Sequence, residues 1–445
     1  MLPDGSRAHS AAGVRRLFRA LYARNYRLYF GGQSLSLIGI WMQRMALSWW
    51  VYRGTHSALV LGVVGFAGQI PALLLAPVAG VLVDRWDRHQ LLVVTQTLAM
   101  LQALVLAWLV LAEVATLWHI LLLSALLGII NAVDMPARQA LIVDLVDQQD
   151  DLGNALALNS AMTNGARLVG PSLAGLVIVS VGEGLCFLLN GLSSLAVLAA
   201  LWAMRLPPRS NAPARASMLA EAREGVRYAW GFAPIRAILL LVSAVSLLGM
   251  PYQVLMPVFA TDILHGDAHT LGMLAAASGV GAIIGALSLV FRDSVLGLGR
   301  MLVLSTGLFG LGLVGLSFAR NEVGALLALV GASGGMMILT TASNTVLQTI
   351  VEEDKRGRIM SLYTMAFLGV APVGSLVAGS VAGQIGAPQT VRFGGVCCLL
   401  GALVFARYLP ALRDLVRPIY ANMGLIQEAR LQTRRTIDAY LHAHH

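Results

Sequence analysis

Twelve stretches of this chain are each long and apolar enough to cross a lipid bilayer. They run over 28–52, 57–83, 89–112, 117–138, 153–181, 184–205, 236–263, 270–291, 299–319, 323–349, 356–384 and 389–410. A helical span needs about 20 apolar residues. In hydrocarbon an isolated segment must satisfy its own backbone hydrogen bonds, so each stretch is predicted to be an α-helix. Composition agrees: 57% of residues are hydrophobic and 12% charged, with a mean hydropathy of +0.75, whereas soluble proteins carry about 25% charged residues. Such a chain has too little polar surface to cover itself in water. The expected fold class is all-α and integral to a membrane.

The cations orient it. With the N-terminus inside, twenty-six of the 31 Lys and Arg fall in the tails and the loops of that same side. Only Arg53, Arg320 and Arg392 fall on the other side, while Arg44 and Arg167 lie within spans. Positive residues collect on the cytoplasmic side, so both termini are expected there. The organisation expected is a cytoplasmic tail over 1–27, six spans over 28–205, a cytoplasmic linker over 206–235, six more spans over 236–410, and a basic tail over 411–445. "LPPRSNAPARAS" in the linker reads as flexible by composition. "MLAEAREGVRYAWGF" after it reads as a short amphipathic helix on the membrane surface, and the C-terminal tail as a second basic surface helix.

The net charge of +9 does not point to nucleic acid, because the arginines flank apolar segments as orientation signals do. Cys186, Cys397 and Cys398 have no metal or disulfide spacing and read as small buried apolar residues. His442, His444 and His445 read as a solvated tail, so no metal site is expected. The first 27 residues lack the apolar core of a secretory leader. No Walker A sequence is present, so energy is expected from an ion gradient, with no cofactor. A membrane-embedded enzyme would need HExxH, GxSxG or paired buried acids, and none is found.

The two halves resemble each other. "GIWMQ" at 39–43 aligns with "GMPYQ" at 249–253, and at that offset Leu61–Gly62 falls on Leu271–Gly272. Near the end of each half "GPSLAG" at 170–175 matches "GSLVAG" at 374–379. A duplicated six-helix unit explains both. Between the second and third spans a charge knot, "GVLVDRWDRH", interrupts the apolar texture. This knot, the six-plus-six arrangement and the basic middle loop resemble the major facilitator superfamily, and within it the bacterial enterobactin- and macrolide-exporter-like group. Gly80, Asp84, Arg85 and Arg88 match the superfamily's motif A; Asp87 stands where the family has Gly, and His89 where it has Lys or Arg. The resemblance implies two pseudo-symmetric bundles in a bacterial cytoplasmic membrane. It also implies that the knot latches the inner side shut. Gly80 would let a helix approach, and Asp84 would face the start of span 11, with Arg138 as another possible partner.

Polar residues inside the spans mark the candidate site. A charge at the bilayer centre costs about 2.5–3.5 kcal/mol on insertion scales, so it should face a cavity or a partner. Trp41, Arg44 and Ser48 share one face of span 1, with Gln43 adjacent. This face is expected to line the substrate cavity, Arg44 binding an anionic group or an acidic side chain. Gln253, Asn344 and Gln348 are the second half's polar contributions to it. Asp134 is the acid expected to couple protons, with Arg167 as its partner or as a modulator of the proton site. Gly165, Gly170, Pro171 and Gly175 resemble the superfamily's motif C, found in antiporters; the glycines would permit close packing and Pro171 a bend. The function expected is proton-coupled export of an amphipathic small molecule (a siderophore, a drug or a lipid-like compound) by a monomer in lipid. Uptake or facilitated diffusion of a metabolite is the alternative within transport. A non-transporting membrane sensor is the alternative outside it.

Overall fold

The computed structural model describes residues 19–146, 149–204, 218–290 and 296–423. The N-terminal tail before Arg19, the linker over 205–217 and the C-terminal segment from 424, with His442, His444 and His445, lie outside the described residues, as do the side chains of Asp84 and Asp150. Among the described residues the chain is helical throughout and carries no strand. The first half contains α1 (Arg24–Thr55), α2 (Ala58–Arg85), α3 (Arg88–Leu111), α4 (Leu117–Asp144), α5 (Gln149–Val181) and α6 (Glu183–Ala203). A short helix, α7 (Met218–Gly231), follows the linker. The second half contains α8 (Ala233–Ile263), α9 (Ala268–Val290), α10 (Leu298–Phe318), α11 (Glu322–Ile350), α12 (Arg356–Ile385) and α13 (Ala387–Asn422).

Eleven of these helices are long and apolar enough to cross a membrane by length and composition. The two others are the short α7, with 14 residues, and α1, which has the length, 32 residues, but carries more polar side chains. Its place between α5 and α6 puts it inside the bundle all the same. Turns are cut where the sequence supplies caps. The Ser57 side chain accepts from Val60 N–H, Asp87 from Gln90 N–H and Asn321 from Gly324 N–H, which satisfies helix-start donors that would otherwise be orphaned. Two expectations change at the basic end. α4 continues six residues past the expected boundary, to Asp144. Residues 411–422 are not a separate surface helix; α13 runs unbroken to Asn422, through Pro410 and Pro418. Leu122, Leu311, Leu327 and Leu403 are exposed on the outer faces, an apolar surface suited to lipid.

Helices alternate in direction, so one end of the molecule carries the starts of α1, α3 and α5, with Arg24, Arg27 and Arg88 at the first two. We call it the basic end and the opposite one the far end. The halves meet along two seams, α2 on α12 and α5 on α9. Glycines make both. A Cβ at Gly62 would lie 2.6 Å from the Ser375 carbonyl and 3.0 Å from Gly379 Cα; one at Gly175 would lie 2.9 Å from the Ala268 carbonyl and 3.3 Å from Gly272 Cα. These are the residues that the internal repeat aligned: Gly62 with Gly272, and the segments ending at Gly175 and Gly379. All four belong to the far-end portions of their helices. Nearer the middle the halves still touch at Gly369, 2.8 Å from Leu73 Cδ1, and at Gly279, 2.8 Å from Leu168 Cα, counted from where a Cβ would be. Gly80 on α2, Gly153 on α5 and Gly357 on α12, towards the basic end, have no heavy atom within 4 Å of that point. The tight glycine seams between the halves therefore lie at the far end.

Candidate functional site

Trp41, on α1, is seated by α5. A Cβ at Gly170 would lie 2.5 Å from Trp41 Cβ and 2.9 Å from the Ile38 carbonyl, so only glycine lets the two backbones approach this closely. Pro171 follows inside α5, and its carbonyl is 3.0 Å from the Cβ position of Gly272 across the seam. Two guanidiniums gather on the Trp41 ring: Arg44 at 5.0 Å and Arg167 at 5.6 Å from its centroid. Each is a cation–π contact. Arg44 is exposed, although its neighbours Gln43 and Met45 are buried. Arg167 is half-buried. Neither forms a hydrogen bond or ion pair with another described residue. The carboxylates at the far end of the second half are taken: Asp262 accepts from Tyr52 at 2.6 Å and from Thr261 at 2.8 Å, and Glu322 accepts from Thr270 at 2.8 Å.

The pairing expected between Asp134 and Arg167 does not form. Asp134 is 2% exposed and its carboxylate accepts from Thr95 at 2.9 Å, from Gln96 at 2.7 Å, and from Arg138, one turn along α4. The i,i+4 spacing on one helix supplies the cation before any other helix can. Arg138 is thereby occupied within its own half.

Gln43 does not line the expected cavity. It is 3% exposed and links three helices: Asn190 on α6 donates to its Oε1 at 2.8 Å, and it donates to Gln102 on α3 at 3.2 Å. One residue of offset turns a helix side chain by about 100°, which carries Gln43 from Arg44's face into the packed side. Ser48 donates to its own helix at Met45. On the second half, Gln253 is half-buried with no side-chain hydrogen bond to a described residue. Gln348 donates to Asn344 at 2.6 Å. That pair sits in the last two turns of α11, at the basic end, so it does not converge with Arg44.

The charge knot has a local task the sequence did not show. Asp87 caps α3, Arg88 bonds Asp144 at 2.9 Å and the Ala140 carbonyl at 3.1 Å, and His89 Nε2 is 2.7 Å from the Leu201 carbonyl. These tie α3 to α4 and α6 within one half. Arg85 is exposed, Gly80 has open space where a helix was expected to approach, and among the described residues neither Arg85 nor Arg88 bonds α12. Asp84, on which the expected clasp to span 11 depends, has its side chain outside the described residues. Of the motif C-like glycines, Gly170 and Gly175 make tight contacts and Gly165 makes none within 4 Å.

The sequence matches the profile of the family described as transmembrane secretion effector over residues 18–422. The chain belongs to this family of the major facilitator superfamily. It is a transporter, not an enzyme. It is 27% identical over 381 residues, 85% of this chain and 95% of the relative, to the staphyloferrin A transporter of Staphylococcus aureus. It is 27% identical over 385 residues, 83% of this chain and 90% of the relative, to the multidrug efflux pump Tap of Mycobacterium tuberculosis. A mutant of the nucleoside transporter NupG has the same fold, with a TM-score of 0.69 at 14% identity, covering 86% of this chain and 98% of that one.

Two features of the transporter escaped sequence reasoning. One is the Tyr52–Asp262 hydrogen bond, which joins the halves at the far end; the unexplained acid in "ATDILHGD" at the end of a span was its signal. The other is the seating of both intramembrane arginines on Trp41. Its signal was an aromatic three residues before Arg44 on one helix face, but nothing local tied α5 to it.

Proposed function

We propose that this transporter exports an amphipathic small molecule across a bacterial cytoplasmic membrane, driven by the proton gradient. The reading has both termini in the cytoplasm, a monomer in the bilayer and no further cofactor. One observation carries it: Arg44, deep in α1, is exposed rather than packed, in a half joined to the other by tight seams at the far end. Alternating access then consists of rocking the halves about the Gly62–Gly379 and Gly175–Gly272 seams. Substrate enters between the halves from the basic, cytoplasmic side. Trp41 and the apolar stems around it suit an amphipathic body. The names of the relatives, a siderophore transporter and a multidrug pump, support a small-molecule substrate.

Asp134 is the proton-carrying group in this reading. Protonation removes the charge that holds Arg138, Thr95 and Gln96 together between α3 and α4, and the freed guanidinium gives the cluster a second arrangement. The test uses inside-out vesicles with an acid-inside gradient and two fluorescent probes of one ring system, carboxyfluorescein and rhodamine 6G. Gradient-driven accumulation of at least one probe, abolished by an ionophore that exchanges protons, supports proton-coupled export. Asp134→Asn is expected to lose that accumulation while retaining probe exchange down its own gradient. Accumulation indifferent to pH, or movement only in the opposite direction, overturns the reading.

A further inference from the structure

We infer that the transporter's substrate is a dianion: a molecule presenting two carboxylates, or one phosphate monoester, to Arg44 and Arg167 over Trp41. This rests on the reading of Arg44's face as the substrate site and names the class of molecule that fits it.

The argument begins with charge. Both side chains are guanidiniums, planar cations with five N–H donors each and no acceptor. They stand 5.0 and 5.6 Å from the centroid of the same indole, so they are close like charges. Like charges repel more strongly the less water screens them. Three partly buried cations elsewhere pair with carboxylates, Arg138 with Asp134, Arg88 with Asp144 and Arg358 with Glu224, while Arg392 rests on Phe318 and Ser317. What sets Arg44 and Arg167 apart is that two guanidiniums share one ring. Among the described residues Arg44 and Arg167 have no carboxylate partner. The far-end acids of the facing half are engaged by Tyr52, Thr261 and Thr270. A site that keeps two cations at membrane depth without a counter-ion is complementary to a ligand that brings two negative charges. A monoanion leaves one guanidinium unpaired, a neutral molecule leaves both, and a cation is repelled.

Geometry supports the charge argument. Guanidinium forks recognise carboxylate and phosphate oxygens in pairs. The ring fixes the two forks relative to each other, and Gly170 fixes the ring. The two arginines come from different helices, α1 and α5, of one half. A dianion bridging them therefore binds that half first and leaves the α8–α12 side to close over the remainder of the molecule. The second half's Gln253 is half-buried, polar and uncharged, which suits a neutral portion.

The experiment measures binding to the purified full chain in nanodiscs, by competition with bound carboxyfluorescein. Benzoate, phthalate and phenyl phosphate vary the charge on one ring; benzylamine is the cation. Phthalate and phenyl phosphate are expected to compete at least ten-fold better than benzoate, and benzylamine not at all. Preference for one of the first two tells carboxylates from phosphate. Arg44→Gln and Arg167→Gln are each expected to weaken the dianions ten-fold or more and to bring them down to the level of benzoate, with Arg→Lys recovering part. Affinity that does not rise with ligand charge in the unaltered protein overturns the inference, whether or not the variants fold. So does failure of carboxyfluorescein to bind. If rhodamine 6G accumulates with the proton gradient while carboxyfluorescein does not, proton-coupled export stands and the dianion falls.

Discussion

On α1, Gln43 at 3% exposure is hydrogen-bonded on both sides, while its neighbour Arg44 is exposed and, among the described residues, bonds to nothing but a ring. The two were expected to share a task, and their energetics differ in kind. Gln43→Leu leaves Asn190 and Gln102 each short of a partner in a packed interior. A buried polar group deprived of its partner costs about 1–3 kcal/mol. The variant should lose thermal stability in detergent by that order and keep its ligand affinity, read by the same competition assay. Arg44→Gln should do the reverse, because it removes an unpaired charge from membrane depth. A stability loss with Arg44→Gln larger than with Gln43→Leu would mean that Arg44 holds the fold rather than a ligand. Asp134 belongs with Gln43 in one respect: its partners come from its own half, and its burial depends on them.

At the scale of the element, α1 and α5 are paired by a glycine. Gly170→Ala would place a methyl 2.5 Å from Trp41 Cβ and push the ring, with both guanidiniums, away from its seat. Every charge is kept, yet displacement of about 1 Å at a preorganised site can cost up to a hundred-fold. Dianion binding should weaken by roughly ten-fold on that ground. Gly165→Ala, on the same helix with open space around it, should leave binding unchanged and serves as the comparison. In the second half, α8 and α12 carry π-turns at Val245–Gly249 and Met365–Gly369. The Ser246 hydroxyl donates to the Phe367 carbonyl and so joins the two turns. Such turns widen a helix locally and recur at functional sites. The linker helix α7 is held to the start of α12 by Arg358–Glu224 at 2.9 Å and by Lys355 over Tyr228 at 4.6 Å. Its exposed Val226 and Trp230, with Arg223 and Arg227 alongside, form the amphipathic face expected from sequence.

For the whole molecule, two glycine seams and the hydrogen bond from Tyr52 to Asp262 join the halves at the far end among the described residues. A hydrogen bond to a charged acceptor contributes about 1.5–3 kcal/mol, and about 1.4 kcal/mol is a factor of ten in population. Tyr52→Phe should therefore raise the far-end-open population by roughly ten-fold or more. Spin-label pairs across the far end, one on each half, measure it as a second, longer distance. Gly62→Ala should act in the same direction, since its methyl clashes with the Ser375 carbonyl only while the seam is closed. Gly80→Ala, with open space in the present state, should not favour far-end opening and would instead penalise closure at the basic end. If all three variants give the distance distribution of the unaltered protein, the seams are not the pivot.

Much of the architecture was legible in the sequence. Helical spans are fixed by length and hydropathy, because hydrocarbon leaves a lone segment one way to satisfy its backbone. The duplicated halves were visible in a few matching glycines, and those glycines proved to be where the halves touch. The unusual depth of Arg44 and Arg167 was visible too, since a charge among apolar residues stands out in one dimension. Which charge meets which partner was not. Asp134 found Arg138 by helix periodicity, Arg167 turned to Trp41 instead, and Gln43 rotated away from its neighbour. Those outcomes depend on how α1, α3, α5 and α6 are set against one another, and the approach of helices is decided by packing summed over whole faces. Sequence therefore dictated which groups the membrane could not tolerate unpaired; only the tertiary structure decided that two of them stand together on one ring, with no counter-ion among the described residues.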